Sequence, residues 1–137
     1  MNVAHVTVQE TRTSKLAQRV EARQHSLSAD EPPELGGSDS GPSPYEYLLS
    51  ALGACTSMTL RMYADMKQLP LERVTVRLRH EKVEVDGGGK RDRIDREIEL
   101  EGRLDDAQRE RLLEIANRCP VHRTLSSDLL IESRLAR

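Results

Sequence analysis

At 137 residues the chain is sized for a single domain spanning 1–137, yet it offers few large side chains for a core: no Phe or Trp, three Tyr, and 36 % hydrophobic residues against 32 % charged. A formal net charge of −2, with both signs mixed along the chain, speaks against nucleic-acid binding, and no apolar run approaches the roughly 18 residues of a membrane span. The opening MNVAHVTVQETRTS lacks the basic and apolar regions of a signal peptide, so the expected compartment is cytoplasmic, where two cysteines do not predict a structural disulfide. Leu, Val, Ile, Ala and Met must do the packing, and so thin a core points to a second subunit covering part of the apolar surface.

Residues 3–9 read as a short strand. Leu16, Gln18, Val20 and Ala22 alternate with Ala17, Arg19, Glu21 and Arg23, which predicts a second strand over 15–23, joined to the first by a turn at 11–14. Residues 25–29 form a third, poorly patterned strand. The stretch DEPPELGGSDSGPSP, residues 30–44, is a loop by its Pro, Gly, Ser and acid content. It feeds the longest helical pattern in the chain. Ser43 suits the N-cap and Pro44 the first helical position, where a missing N–H costs nothing. Leu48, Leu52, Cys55, Thr59, Met62 and Met66 then recur at spacings of three and four, which places them on one face, and Leu69-Pro70 ends the helix. From Pro44 to Lys67 such a helix is roughly 36 Å long at about 1.5 Å per residue, the spine of the core. Gly53 in its middle costs about 1 kcal/mol relative to alanine, so another element should approach closely there, beside Cys55.

Beyond Pro70, alternation of Val74, Val76 and Leu78 predicts a strand over 72–85, with a bulge near His80 where the apolar phase passes to Val83 and Val85. A glycine-rich turn at 86–90 leads into a second alternating strand, Ile94, Arg96, Ile98 and Leu100, and the charged face of this hairpin should meet solvent. A second helix is expected over 102–119, capped by Asp105 with Gln108 as its partner and broken by Pro120. Leu112, Leu113, Ile115 and Ala116 supply its apolar side. Residues 121–124 are a turn or short helical piece, and Leu129, Ile131, Ser133 and Leu135 alternate in a final strand over 128–135. The whole is an α+β chain with helices on mostly antiparallel sheets.

Cys55 and Cys119 stand 64 positions apart. Three roles are open to them: small buried hydrophobes, a redox pair in which one thiolate attacks and the other resolves, or a metal site drawing on Cys119 and His122. Zinc frameworks use closely paired ligands from two places, and only one such pair is present. A redox Cys55 needs a cation to stabilise its thiolate. No Lys or Arg shares its helical face within a turn, and Arg61 points elsewhere. Arg19 or Arg12 in the N-terminal hairpin are the candidates, with Glu46 available to orient the guanidinium.

The glycine pair Gly36-Gly37, the approach through Pro44, the stretch LLSALGACTSMTL, and the helix ending in Cys119-Pro120-Val121 together resemble the OsmC/Ohr superfamily, in its OsmC-like branch with GGxDxGPxPYE before the helix. The resemblance runs from about residue 15 to 135. It implies an OsmC-like α+β fold with two long central helices, built as an intertwined homodimer whose two active sites lie at the interface. It also implies a peroxidatic Cys55 and a resolving Cys119 that reduce organic hydroperoxides, with hydrogen peroxide as a secondary candidate substrate, at the expense of a dithiol or lipoylated-protein reductant. No cofactor and no metal are expected. Two positions depart from the family's reductases: Tyr45 follows the proline where they have Glu, with Glu46 next along, and the usual Gly-Arg-Asx-Gly turn is absent, so Arg19 is assigned by region. The alternative that these departures favour is an OsmC-like thiol protein acting on or binding another small electrophile, without peroxidase activity.

Overall fold

At the entry to the long helix, Ser43 and Glu46 satisfy one another's backbone: the Ser43 N–H donates to Glu46 Oε1 (2.8 Å) and the Glu46 N–H to Ser43 Oγ (3.3 Å). This reciprocal cap, with Pro44 behind it, starts helix α1 where the sequence places it, at Pro44–Met66. The computed structural model describes residues 3–137. Its elements in order are β1 (Thr7–Glu10), β2 (Gln18–Ala22), β3 (His25–Ala29), a short 3-10 turn at Pro33–Leu35, α1, β4 (Leu71–Glu84), β5 (Lys90–Gly102), α2 (Asp106–Ala116) and α3 (Pro120–Leu125). The α+β class with antiparallel sheets and two substantial helices is as expected. The chain forms two compact units, up to Leu48 and from Leu49 onward.

The first unit holds the sheet β1-β2-β3, antiparallel throughout, with Val8 opposite Val20 and Val20 opposite Leu27. Pairing begins at Thr7 rather than at residue 3, because β2 ends at Ala22 and the chain turns back at Arg23, whose φ is +54°. The loop after β3 is organised by Asp30. Its carboxylate accepts the N–H groups of Glu31 (2.8 Å), Ser38 (3.3 Å) and Ser40 (3.2 Å) and the Ser40 hydroxyl (2.7 Å). The fold closes so tightly here that a Cβ on Gly37 would lie 1.9 Å from the Glu31 carbonyl oxygen. The Tyr47 hydroxyl donates to the Ser28 carbonyl.

In the second unit, β4 and β5 form a long antiparallel hairpin in which Val74, Val76, Leu78 and His80 stand opposite Leu100, Ile98, Arg96 and Ile94. The ladder is unbroken at His80; its one irregularity lies between Leu71 and Arg73. No bulge is needed, because His80 continues the same row as a polar member, bonding Asp92 through Nε2 (2.8 Å) alongside Lys82. The other face carries the charges expected toward solvent, with Arg77 paired to Glu97 (3.3 Å) and Glu99 (2.8 Å). Leu60, Leu112, Ile115 and Ala116 form the buried core, with Tyr63, Leu69, Val74, Ile98, Leu100 and Leu104 packed around them.

Helix α1 buries a different stripe from the one its spacing suggests. Leu52, Gly53, Thr56, Leu60 and Ala64 are inside, while Met62 and Met66 are 74 % and 68 % exposed. The hairpin sets this rotation: it meets the helix at Gly53, where a Cβ would lie 2.8 Å from Leu78 Cδ1. The close approach expected at Gly53 is therefore present, and the side chains flanking the glycine follow it inward. The helix expected over 102–119 is shorter. Asp105 and Gln108 close the expected capping box, and Asn117 ends α2 before the extended Cys119 (φ −55°, ψ 130°) leads into α3. The residue before a proline disfavours helical backbone, which separates the two helices. Residues 128–135 do not form the expected strand. They have no ladder partner among the described residues, and Leu129, Leu130, Ile131 and Leu135 are exposed.

The Ser40 hydroxyl, opposed by burial and helped by the N–H groups of Glu31, Ser40 and Ser38, holds Asp30 below the usual carboxylate range. A folded-state pKa depressed in this way stabilises the protein fully above the unfolded value of about 3.9, and the contribution is lost as pH falls toward the folded value. Asp30→Asn is expected to lower the thermal midpoint at pH 7, with the gap to wild type shrinking below about pH 4. Thermal melts across pH 2.5–7 (about one unit apart) check this; a gap independent of pH would refute it.

Candidate thiol site

Cys55 lies at the middle of α1, next to the inward-facing Thr56, and is partly buried; Cys119 is the N-cap of α3 and is fully buried. Both are free thiols, near enough for each to act on the acidity of the other. Proline 120 makes this possible from the Cys119 side. By forcing an extended backbone ahead of it, Pro120 frees the first N–H groups of α3 to face the sulfur. The His122 N–H donates to Cys119 Sγ (3.5 Å), and Thr56 Oγ1 lies 3.9 Å from Cys119 Sγ.

The two thiols are driven apart in acidity. Burial pushes Cys55 up, and Cys119 as hydrogen-bond acceptor and neighbouring charge pushes it further, against donation from Val121 and Thr59. Burial also works to raise Cys119, but donation from Cys55, His122, Thr56 and Val121 together brings it below the ordinary thiol value. His122 is lowered, by burial first and then by Arg96, which favours its neutral form near pH 7.

Arg96 and Thr56 complete the site. Arg96 on β5 donates from Nη1 to Thr56 Oγ1 (2.9 Å) and to the Ala116 carbonyl (3.3 Å), and from Nη2 to Asn117 Oδ1 (2.9 Å). Neither residue was a candidate from sequence. Arg96 had a legible signal all the same: it stands in the inward row with Ile94, Ile98 and Leu100, where a cation requires a reason.

The structure brings Cys55 and Cys119 together in the second unit. Arg19 and Glu46 belong to the first. Arg19, on β2, is exposed and lies 3.8 Å from Glu21. Arg12 lies 3.8 Å from Glu10. Glu46 is engaged with Ser43 in the cap of α1, which lowers its pKa through the Ser43 N–H and hydroxyl. Arg61 bonds the Leu71 and Glu72 carbonyls and pairs with Asp65, away from the thiols as expected. Among the described residues no group of three or more His, Cys, Asp or Glu is placed to hold a metal ion, and no helix is long and apolar enough to cross a membrane.

A family model described as OsmC-like protein matches residues 37–134, both cysteines included. The chain belongs to the OsmC-like family of the OsmC/Ohr superfamily. Its fold is shared with the OsmC-like protein of Mycoplasma pneumoniae at a TM-score of 0.75 and 22 % identity, over 90 % of this chain and 87 % of that one. The organic hydroperoxide resistance protein OsmC of Legionella pneumophila aligns at a TM-score of 0.69 and 19 % identity, over 92 % and 90 %. An organic hydroperoxide resistance protein of Elizabethkingia anophelis aligns at 0.71 and 17 %, over 93 % and 91 %. A search of curated proteins finds no match. Family membership together with two neighbouring thiols supports a thiol redox role.

Absorbance at 240 nm of the reduced OsmC-like chain, followed against pH, is expected to rise in two steps that belong to the pair, one below and one above the ordinary thiol value of about 8.5. Cys55→Ala should raise the lower step, because Cys119 loses its strongest donor. Two superimposed steps near the ordinary value would contradict the asymmetry.

Proposed function

We propose that the chain is a cysteine-based peroxidase that reduces organic hydroperoxides, with Cys55 peroxidatic and Cys119 resolving. The observation that supports it is the asymmetric sulfur pair: two neighbouring free thiols, one partly open and the other fully buried. A peroxide arriving from solvent meets Cys55 first, while the buried sulfur is suited to an internal bond.

In this reading Cys55 passes its proton to the Cys119 thiolate as its sulfur attacks the terminal peroxide oxygen. The O–O bond breaks, Cys55 becomes a sulfenic acid, and the departing alkoxide takes a proton to leave as alcohol. Cys119, again a thiolate, attacks the Cys55 sulfur and expels hydroxide, which leaves as water after protonation, and the disulfide closes. Two thiols and one hydroperoxide thus give one disulfide, one alcohol and one water. An external dithiol, such as the lipoyl group of a lipoylated protein, restores both thiols by exchange. Arg19 and Glu46 enter as the cation stabilising the reacting thiolate and the carboxylate orienting it.

The whole chain acts, in this proposal, as one OsmC-like domain in a cytoplasmic homodimer. Met58, Met62 and Met66 form an exposed row on α1, and residues 129–135 carry exposed Leu and Ile without a ladder partner among the described residues. Apolar surface of this kind is what a second copy would cover. Sedimentation equilibrium should give a dimer, and removal of residues 128–137 should weaken it; a monomer at micromolar concentration would count against the intertwined assembly.

The engagement of Glu46 in the cap favours one other reading, an OsmC-like thiol protein that acts on or binds a different small electrophile. Consumption of tert-butyl hydroperoxide and hydrogen peroxide with dithiothreitol separates the two. Wild type should turn over, faster on the organic peroxide; Cys55→Ser should fall to background; Cys119→Ser should lose the disulfide and accumulate Cys55 sulfinic acid. No turnover and no Cys55–Cys119 disulfide by mass spectrometry would replace the peroxidase reading with the other one.

A further inference from the structure

Two sulfurs that are to share a bond must be held close, since a disulfide tolerates Cα separations of only about 4.4–6.8 Å. Cys55 and Cys119 stand 64 positions apart, with the whole β4–β5 hairpin and α2 between them along the chain. Packing of Leu60 with Leu112, Ile115 and Ala116 brings α2 to α1, but apolar packing is not directional. Directional contacts between the two segments come from Arg96.

Arg96 stands in the inward row of β5, opposite Leu78, and is half-buried. Arg77, Arg79 and Arg93 on the same hairpin pair with carboxylates. The hydrogen bonds of Arg96 end instead on the Thr56 hydroxyl, the Ala116 carbonyl and the Asn117 amide. All three belong to the segments that carry the thiols: Thr56 follows Cys55 on α1, and Ala116 and Asn117 lie three and two residues before Cys119. Thr56 is fully buried and donates its own hydrogen to the Leu52 carbonyl (2.7 Å), so its oxygen is fixed in place to accept from Arg96. The Ala116 carbonyl, one of those that the end of α2 leaves without a helical partner, also accepts the Cys119 N–H (3.3 Å). Hydrogen bonds thus run without a gap from the residue beside Cys55, through Arg96 Nη1 and the Ala116 carbonyl, to the backbone of Cys119. Asn117, the C-cap of α2, takes the other nitrogen of the same rigid fork.

We propose that Arg96 is a positioning residue for disulfide closure, bridging the turn of α1 that carries Cys55 to the segment that carries Cys119. The inference rests on the proposed resolving role of Cys119 and deepens it. Once Cys55 is oxidised, Cys119 must reach its sulfur before a second peroxide does, and a preset geometry raises the effective concentration of one sulfur at the other. The bridge acts through hydrogen-bond geometry at both segments, and it is present before any peroxide arrives.

The test is the equilibrium of the full chain with dithiothreitol and its cyclic disulfide at varied ratios. In that exchange the dithiothreitol S–S bond breaks, the Cys55–Cys119 bond forms, and the two thiol hydrogens pass to dithiothreitol. Acid quenching, alkylation and mass spectrometry read the disulfide fraction, and circular dichroism checks folding. Arg96→Gln should lower the equilibrium constant for the disulfide about tenfold, the effect of losing a hydrogen bond to a charged group. Thr56→Val should lower it by less, and Thr56→Ser, which keeps the acceptor, should match wild type. Arg96→Lys keeps the charge without the fork and should stay low. Arg109→Gln is the control: Arg109 clamps the carbonyls of Leu100 (2.9 Å), Gly102 (3.2 Å) and Leu104 (3.3 Å) in the same unit, so its loss should destabilise the fold and leave the constant unmoved. An unmoved constant in folded Arg96→Gln, an equal fall in Arg109→Gln, full recovery in Arg96→Lys, or a wild type that forms no Cys55–Cys119 disulfide would each overturn the bridge. Should Arg96→Gln not fold, Thr56→Val against Thr56→Ser decides by the same criterion. The two proposals fail separately: a weakened disulfide in Arg96→Gln of a protein that consumes no peroxide upholds the bridge and ends the peroxidase reading, and an unmoved constant in an active enzyme does the reverse.

Discussion

The nearness of two sulfur atoms sets the requirements that the surrounding residues meet. A thiol–thiolate contact inside a protein is unfavourable unless donors surround the acceptor, because burial penalises the charged form. Cys119 has those donors for a backbone reason: it stands between the end of α2 and the proline that opens α3, where N–H groups are not yet committed to helical bonds. Continuing α2 through residue 119 as one helix would turn those N–H groups into its own ladder and leave the sulfur without them. The Cys-Pro pair thus does two jobs, ending one helix and supplying the donors at the start of the next.

The other sulfur needs a different kind of support. Cys55 is delivered by the middle of a long helix, two residues past the point where the β4–β5 hairpin meets that helix at Gly53. Close approach at the glycine turns Thr56 inward, beside Cys119, and brings Arg96 across to it. Local propensity cost at Gly53, packing against Leu78 and the electrostatics of the thiols are three consequences of one narrow point in α1.

Much of this was legible in the sequence, and what was not has an identifiable cause. The caps at Ser43 and Asp105, the hairpin, the glycine contact and the association of helix with Cys119-Pro120 follow from local chemistry and spacing, and they appear where expected. The apolar stripe of α1 was misplaced because methionine spacing counted as core, whereas Met58, Met62 and Met66 lie on the exposed side. The apolar residues pass from the row of Val74, Val76 and Leu78 to that of Val83 and Val85, which suggests a bulge near His80, but the backbone ladder ignores a change of side-chain type. Residues 128–135 alternate as a strand should, but a strand needs a neighbour, and periodicity says nothing of where that neighbour is.

At the site, the cysteines were found from sequence because their positions in a helix and before a proline carry recognisable chemistry. Arg96 lies on β5, far in sequence from both the helix of Cys55 and the N-terminal hairpin, so spacing does not connect it with the thiols. The physical criterion that finds it is general: in an alternating strand with one buried face, an arginine in the buried row must end on something. When its hydrogen bonds end on neutral groups, its charge is left to be balanced, and an ionisable group that can become an anion nearby is shifted toward doing so. Arg96 ends on the Thr56 hydroxyl, the Ala116 carbonyl and the Asn117 side chain, on the two segments that carry the thiols.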